Sequence, residues 1–159
     1  MNRFFTIFLT LLITTWVLNV SAESLRVESD WLKQNLNKDK LLILDARSQD
    51  DYDVAHIPGA INLPEKLTYQ NKDTGGQIAK PDVIQKLFRD RGIDTDELVV
   101  VYDDGALLNA ARVFWTLEVY GVKQVRILNG GFADWNTRNY EVSSDTPVIQ
   151  PSNYVASVD

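Results

Sequence analysis

The chain is patterned as short apolar runs separated by longer amphipathic stretches. Residues 41–44 (Leu-Leu-Ile-Leu) form an unbroken apolar run closed by Asp45. Residues 98–102 (Leu-Val-Val-Val-Tyr) form the strongest such run, and residues 125–128 read as another strand. Residues 60–63 follow the Pro58-Gly59 break and read as a further short strand. Continuous apolar runs of four or five residues suit strands buried on both faces, as in a parallel sheet.

The stretches between them carry helical spacing. Trp31, Leu32 and Leu36 share one face of a short helix, with Ser29 as its expected N-cap. Ser48 is expected to cap an acidic turn over residues 49–55, where Asp50, Asp51 and Asp53 favour the helix dipole. Pro81 suits the first position of a helix ending near Arg91, with Val83, Ile84, Leu87 and Phe88 inward and Gly92 at its end. A loop over residues 103–106 leads to a helix reaching Tyr120, with Ala110, Val113, Phe114 and Leu117 at core spacing and Gly121 closing it. Gly130-Gly131 opens a short helix over residues 132–138. Residues 64–80 are irregular, with a turn-rich loop at residues 71–76. Alternating strands and helices place the chain in the α/β class with a mainly parallel central sheet. There is no internal repeat.

The N-terminus changes the picture of where this domain works. Arg3 precedes a 14-residue apolar run over residues 4–17, diluted only by threonines, and Val20-Ser21-Ala22 offers small residues before a cut. The run is shorter than the roughly 20 residues of a membrane span. Residues 1–22 are therefore expected to be a cleavable signal peptide, cut between Ala22 and Glu23; the alternative is an uncleaved anchor helix. Periplasmic or secreted localisation follows, with no membrane attachment after cleavage. Arg3 is the only charge in that segment, so the chain from Glu23 onward has 15 basic against 22 acidic side chains, net −7. Such a balance, without a basic patch, argues against nucleic acid or an anionic membrane as partner. With no cysteine and one histidine, no disulfide forms and no zinc site of ordinary composition is expected.

Two longer segments narrow the class further. Asp45, Arg47 and Tyr52 precede His56-Ile-Pro-Gly-Ala-Ile-Asn62, and Leu128-Asn-Gly-Gly-Phe-Ala-Asp-Trp135 comes late in the chain. In order and wording they resemble the early and late signatures of the rhodanese family of sulfurtransferases. The resemblance covers about residues 27–142. It implies a rhodanese-like fold with helices on both sheet faces, residues 23–142 as the domain, and residues 143–159 as a linker-like tail. It also implies structural roles for Asp45, Arg47, His56, Gly59, Gly130, Gly131 and Trp135.

In active members of that family the strand matching residues 98–102 ends in a cysteine. Loop N–H groups at a helix start stabilise its thiolate or persulfide. The thiolate takes sulfane sulfur from a donor and passes it on. Here Asp103 occupies that position, and the loop reads Asp103-Asp104-Gly105-Ala106-Leu107-Leu108. A carboxylate cannot carry sulfur as a persulfide, and like charges about 4 Å apart repel by roughly 4 kcal/mol at an effective dielectric near 20. Val-Val-Tyr-Asp at this point and Ala110-Ala-Arg-Val-Phe-Trp115 after it resemble the inactive first domain of tandem thiosulfate and 3-mercaptopyruvate sulfurtransferases. Residues 152–159 resemble the linker into their second domain.

Three functions remain in view. The first is a catalytically silent half of a tandem sulfurtransferase, whose partner is a cysteine-bearing rhodanese domain. The second is a stand-alone periplasmic module that binds another protein through the exposed pair Leu107-Leu108. The third is a metal-dependent enzyme using Asp103 and Asp104, with Asp45 also at the carboxyl end of a strand. The reading preferred for the two loop aspartates is a capped turn at a helix start. Asp45 with Arg47 reads as a structural ion pair, Arg112 as a partner for a nearby carboxylate, and Phe114, Trp115 and Trp135 as core. Neither a catalytic residue, a cofactor nor a resident metal is expected of this chain.

Overall fold

A computed structural model describes residues 24–71 and 76–157. The expected signal peptide and most of the 71–76 turn lie outside them. Five strands, β1 (Arg26–Val27), β2 (Leu41–Asp45), β3 (Ile61–Asn62), β4 (Leu98–Tyr102) and β5 (Val125–Leu128), form one sheet in the order β1-β5-β4-β2-β3. Every neighbouring pair is parallel. Successive strands are joined through helices α1 (Ser29–Asn35), α2 (Gln49–Val54), α3 (Pro81–Arg89) and α4 (Leu108–Val119), and α5 (Gly131–Thr137) follows β5. A 3-10 turn at Glu65–Thr68 precedes α3. No helix among the described residues is long and apolar enough to cross a membrane.

The register explains the continuous apolar runs. β2 and β4 pair over their full length, from Leu41 with Leu98 to Asp45 with Tyr102. Side chains alternate between faces along a strand. Leu44, Val99, Val101, Val125 and Ile127 therefore face a core shared with Ile84, Phe88, Ala110, Val113 and Leu117 of α3 and α4. Ile43, Val100, Tyr102 and Leu128 face the other core, with Leu32 of α1, Tyr52 of α2 and Trp135 of α5. Both faces are covered, so β4 is apolar along its whole length.

Several local expectations change. Ser29 is not the N-cap of α1; Glu28 holds that place, and the buried Ser29 hydroxyl donates to Asp134 Oδ2 at 2.6 Å, tying α1 to α5. Val83 is half exposed rather than inward, because the buried stripe of α3 is carried by Ile84 and Phe88. α3 also ends at Arg89, two residues early. The 60–63 strand shortens to Ile61–Asn62. β1 is an addition: two residues just before α1 that pair with Ile127 and Leu128. Ser48 caps α2 as expected, accepting from the Asp51 N–H.

Residues 143–157 have almost no regular structure, yet they are pinned along the domain. Ser143 and His56 exchange backbone hydrogen bonds of 2.8 and 2.9 Å. Ser152 Oγ donates to Ile93 O at 2.6 Å, and Arg89 Nε donates to Tyr154 O at 2.6 Å. Tyr154 is 1% exposed, its ring 5.2 Å from that of Phe88 and its hydroxyl donating to Tyr120 O. An aromatic ring buried this fully is a structural anchor. Tyr154→Ala is expected to destabilise the fold by about 3–4 kcal/mol, the usual cost of deleting a buried aromatic. Urea unfolding checks this, and an unchanged midpoint would show that the tail does not dock.

Candidate functional site

The carboxyl ends of β2, β4 and β5 meet at the point where the family-like segments converge. Parallel sheets place their sites at this edge, where loops run on into helix starts. Asp103 follows β4 directly and is 2% exposed. Its Oδ1 accepts from Gly105 N at 2.9 Å and Leu107 N at 3.2 Å, and its Oδ2 accepts from Ala110 N at 3.1 Å. Ala110 lies in the first turn of α4, so the carboxylate caps that helix from four residues before its N-cap, Leu107. No cation is bonded to Asp103 among the described residues. Three N–H donors and the positive end of α4 do a counterion's work. Asp104 is exposed, and its Oδ1 accepts from Ala106 N at 2.9 Å.

This closed turn depends on a second close approach. The Asp103 carbonyl accepts from Phe132 N at 2.8 Å, and the Asp104 carbonyl from Ala133 N at 3.2 Å. α5 therefore starts against the loop backbone. A Cβ on Gly131 would lie 2.5 Å from Asp103 O and 2.6 Å from Gly105 N. Only glycine lets these two backbones touch. Gly130, its neighbour, has φ +72, and a Cβ there would lie 2.6 Å from Asp134 Cβ. At the other side of the loop, Leu107 adopts the left-handed conformation at φ 72. That costs a side-chain-bearing residue roughly 1–2 kcal/mol. Leu107 is 37% exposed and Leu108 77%, so the rim of the loop is apolar.

Asp45 and Arg47 form a separate buried unit. Arg47 Nε lies 3.0 and 3.1 Å from the two carboxylate oxygens, and Nη2 donates to Asp45 Oδ2 at 2.6 Å. Nη2 also donates to Ala55 O at 2.7 Å, and the guanidinium stacks 4.0 Å from the Phe132 ring centre. Burial is the largest influence on Arg47 and disfavours its charge. The hydrogen bonds and charge of Asp45 outweigh it and hold the guanidinium above its ordinary range. Burial, with Asp45 nearby, likewise pushes the Tyr102 hydroxyl far up, and that oxygen accepts from Ile57 N at 3.1 Å.

His56 is fully buried and stacks on Tyr52 with ring centres 3.8 Å apart. Its Nδ1 lies 2.8 Å from Tyr52 O and its Nε2 3.2 Å from Asp145 O, so both ring nitrogens face backbone. Gly59 turns the chain at φ +78 with open space around it. Trp135 is fully buried, its Nε1 donating to Glu141 O at 2.8 Å.

Two expectations fail here. Trp115 is 48% exposed rather than core, because α4 buries Ala110, Val113, Thr116 and Leu117 and turns Trp115 outward. Among the described residues Arg112 is bonded to no carboxylate. It donates to Thr68 Oγ1 at 3.0 Å and Gly76 O at 2.7 Å, and lies 4.1 Å from the Tyr69 ring centre. Its role is to hold the segment before α3 rather than to receive an anion.

The arrangement has no thiol, and the loop N–H groups bonded to Asp103 are already engaged. Its one central anion is the protein's own carboxylate. The metal reading meets the same obstacle: both Asp103 oxygens already accept N–H groups, and both Asp45 oxygens face Arg47. Among the described residues no group of three or more His, Cys, Asp or Glu side chains stands together.

Comparison with known proteins agrees with this geometry. The family model of the rhodanese-like domain matches residues 28–138. The 3-mercaptopyruvate sulfurtransferase of Escherichia coli K12 is 34% identical over 120 residues, covering 69% of this chain and 43% of that protein. A putative thiosulfate sulfurtransferase of Saccharopolyspora erythraea is 31% identical over 138 residues, covering 86% and 49%. The crystal structure of an Escherichia coli 3-mercaptopyruvate sulfotransferase superposes with a TM-score of 0.78 at 27% identity, covering 86% of this chain and 56% of that one. The chain thus spans about half the length of the relatives it matches.

The contact between α5 and the loop gives a direct test. Gly131→Ala is expected to cost more than about 2 kcal/mol, since backbone must move to admit the methyl group. Gly59→Ala, with equal backbone strain but open space, should cost about 1 kcal/mol. Urea midpoints of the two variants compare them, and equal losses would show that α5 does not press on the loop.

Proposed function

The chain belongs to the rhodanese-like domain family, and on that premise we propose that it is the non-catalytic half of a two-domain thiosulfate/3-mercaptopyruvate sulfurtransferase. It works only beside a cysteine-bearing rhodanese domain, and the leader over residues 1–22 directs it out of the cytoplasm to the periplasm or beyond. One observation carries this reading: the Asp103 carboxylate accepts the loop N–H groups that a persulfide would need. The domain then contributes scaffold and surface rather than sulfur chemistry. The share of the relatives' length that the chain covers supports reading it as one half.

A second reading is favoured by one feature of the surface. Leu108 is 77% exposed at the loop rim, and Trp115 is 48% exposed two turns further along α4. Two large apolar side chains on one exposed helix face suit a protein partner. In that case the domain is a stand-alone periplasmic binding module. Complex formation with a cysteine-bearing rhodanese domain separates the two readings, since only the first requires it.

Sulfur transfer is the decisive measurement. The chain, given thiosulfate and cyanide, is expected to form no thiocyanate above background. Asp103→Cys is expected to remain on the order of a hundredfold or more below a cysteine-bearing rhodanese domain. Asp104 stays beside the new thiol, and like-charge repulsion with an anionic donor is worth roughly 4 kcal/mol at about 4 Å. Turnover by the unmodified chain would overturn the silent-domain reading. Robust turnover by the variant would show that only the sulfur atom was missing.

A further inference from the structure

A cavity of about 230 Å³ lies at the β3 edge of the sheet. Its lining shares no residue with the Asp103 loop. It is formed by Gln49 of α2, Ile61 and Asn62 of β3, Arg91 just beyond α3, and Thr146 and Ile149 of the tail. Four separate parts of the chain therefore close on one space.

Arg91 is its charged member. The Nε donates to Asn62 O at 2.8 Å, and Nη1 reaches Leu87 O at 3.4 Å. Nη2 and the second N–H of Nη1 have no partner among the described residues. No carboxylate is bonded to the guanidinium. Asp90, also in the lining, is held by Lys86 Nζ at 2.5 Å. Burial works against the Arg91 charge and lowers its pKa, and Asp90 offsets this only in part. The spare N–H groups are open to solvent, and an anion that replaced water there would offset the partial desolvation of the cation.

We infer that this cavity is a second binding site, for a small free carboxylate. The outer Nη1–Nη2 edge of Arg91 presents the fork that grips a carboxylate with two N–H groups. Gln49 and Thr146 offer further polar groups, and Ile61 and Ile149 give a short hydrocarbon body an apolar wall. The volume is below the range of drug-sized sites, which restricts the ligand to a few carbons. The inference is independent of the sulfurtransferase reading.

Titration of the ¹⁵N-labelled chain with sodium isobutyrate, against neutral isobutyramide at constant ionic strength, tests it. The expected result is saturable amide shifts at residues 49, 91 and 146 with the acid alone, at a Kd of about 1 mM, a scale suited to so small a ligand. Arg91→Gln should weaken binding at least about tenfold, the loss of one charge-assisted contact. Arg91 also braces β3, so Gln49→Ala and Thr146→Val provide variants that leave that brace intact. Each should weaken binding about two- to fivefold with an unchanged unfolding midpoint. Equal shifts from the amide, shifts that persist in Arg91→Gln, full affinity in both milder variants, or no shifts up to about 50 mM acid would overturn the inference.

Discussion

Three backbone N–H groups converge on the Asp103 carboxylate, and the loop that supplies them exists because the carboxylate is there to receive them. Buried N–H groups need acceptors. In this loop the acceptor is covalently part of the chain, and a carboxylate there suits the positive helix end. The same turn sets where α4 begins, and its two carbonyls set where α5 begins. Helices on opposite faces of the sheet are thus indexed to one side chain. The loop N–H groups that point inward are taken up by the chain's own carboxylate.

Around that turn the molecule is organised as two cores separated by one sheet. Burial of both faces makes β4 apolar throughout, and apart from Arg126 within β5 the buried charged groups gather at or just beyond strand ends. Asp45 and Arg47 are the main case. A buried ion pair gives little net stability by itself. Its value here is positional: the guanidinium joins the end of β2, the Ala55 carbonyl and the Phe132 ring at the start of α5. The early and late family-like segments meet physically through this one arginine.

Much of this was legible in the sequence because it rests on local chemistry. β4 begins and ends where its apolar run does, β5 spans the expected residues 125–128, and Ser48, Pro81 and Gly130-Gly131 mark helix starts through caps, fixed φ and close approach. The Asp103 turn was legible as a capped turn from two short acceptor side chains after a buried strand. What escaped depends on distant partners. β1 is two residues long and exists only because Ile127 and Leu128 offer it a ladder. Ser29 looks like a cap until Asp134 takes its hydroxyl. Trp115 sits one position outside the buried stripe of α4, a rotation that helical spacing alone resolves poorly. Charge suggests a carboxylate for Arg112, whereas among the described residues it meets a threonine hydroxyl, backbone oxygens and an aromatic face. Tyr154 is a lone aromatic in polar text, and no periodicity announces that it fills a core.

The all-parallel sheet has a consequence for how the chain reaches its native state. It contains no hairpin, so no two strands can meet by a tight local turn. The central pairing joins Leu41 to Leu98, and the edge pairing joins Arg26 to Ile127. Each contact must close a long loop before it returns any free energy, which raises contact order and slows folding. During synthesis β1 stays unpaired until nearly the whole domain has emerged. Its two-residue length limits how much unpaired edge waits in solution, so brevity at that edge protects the nascent chain from association during the slowest part of its assembly.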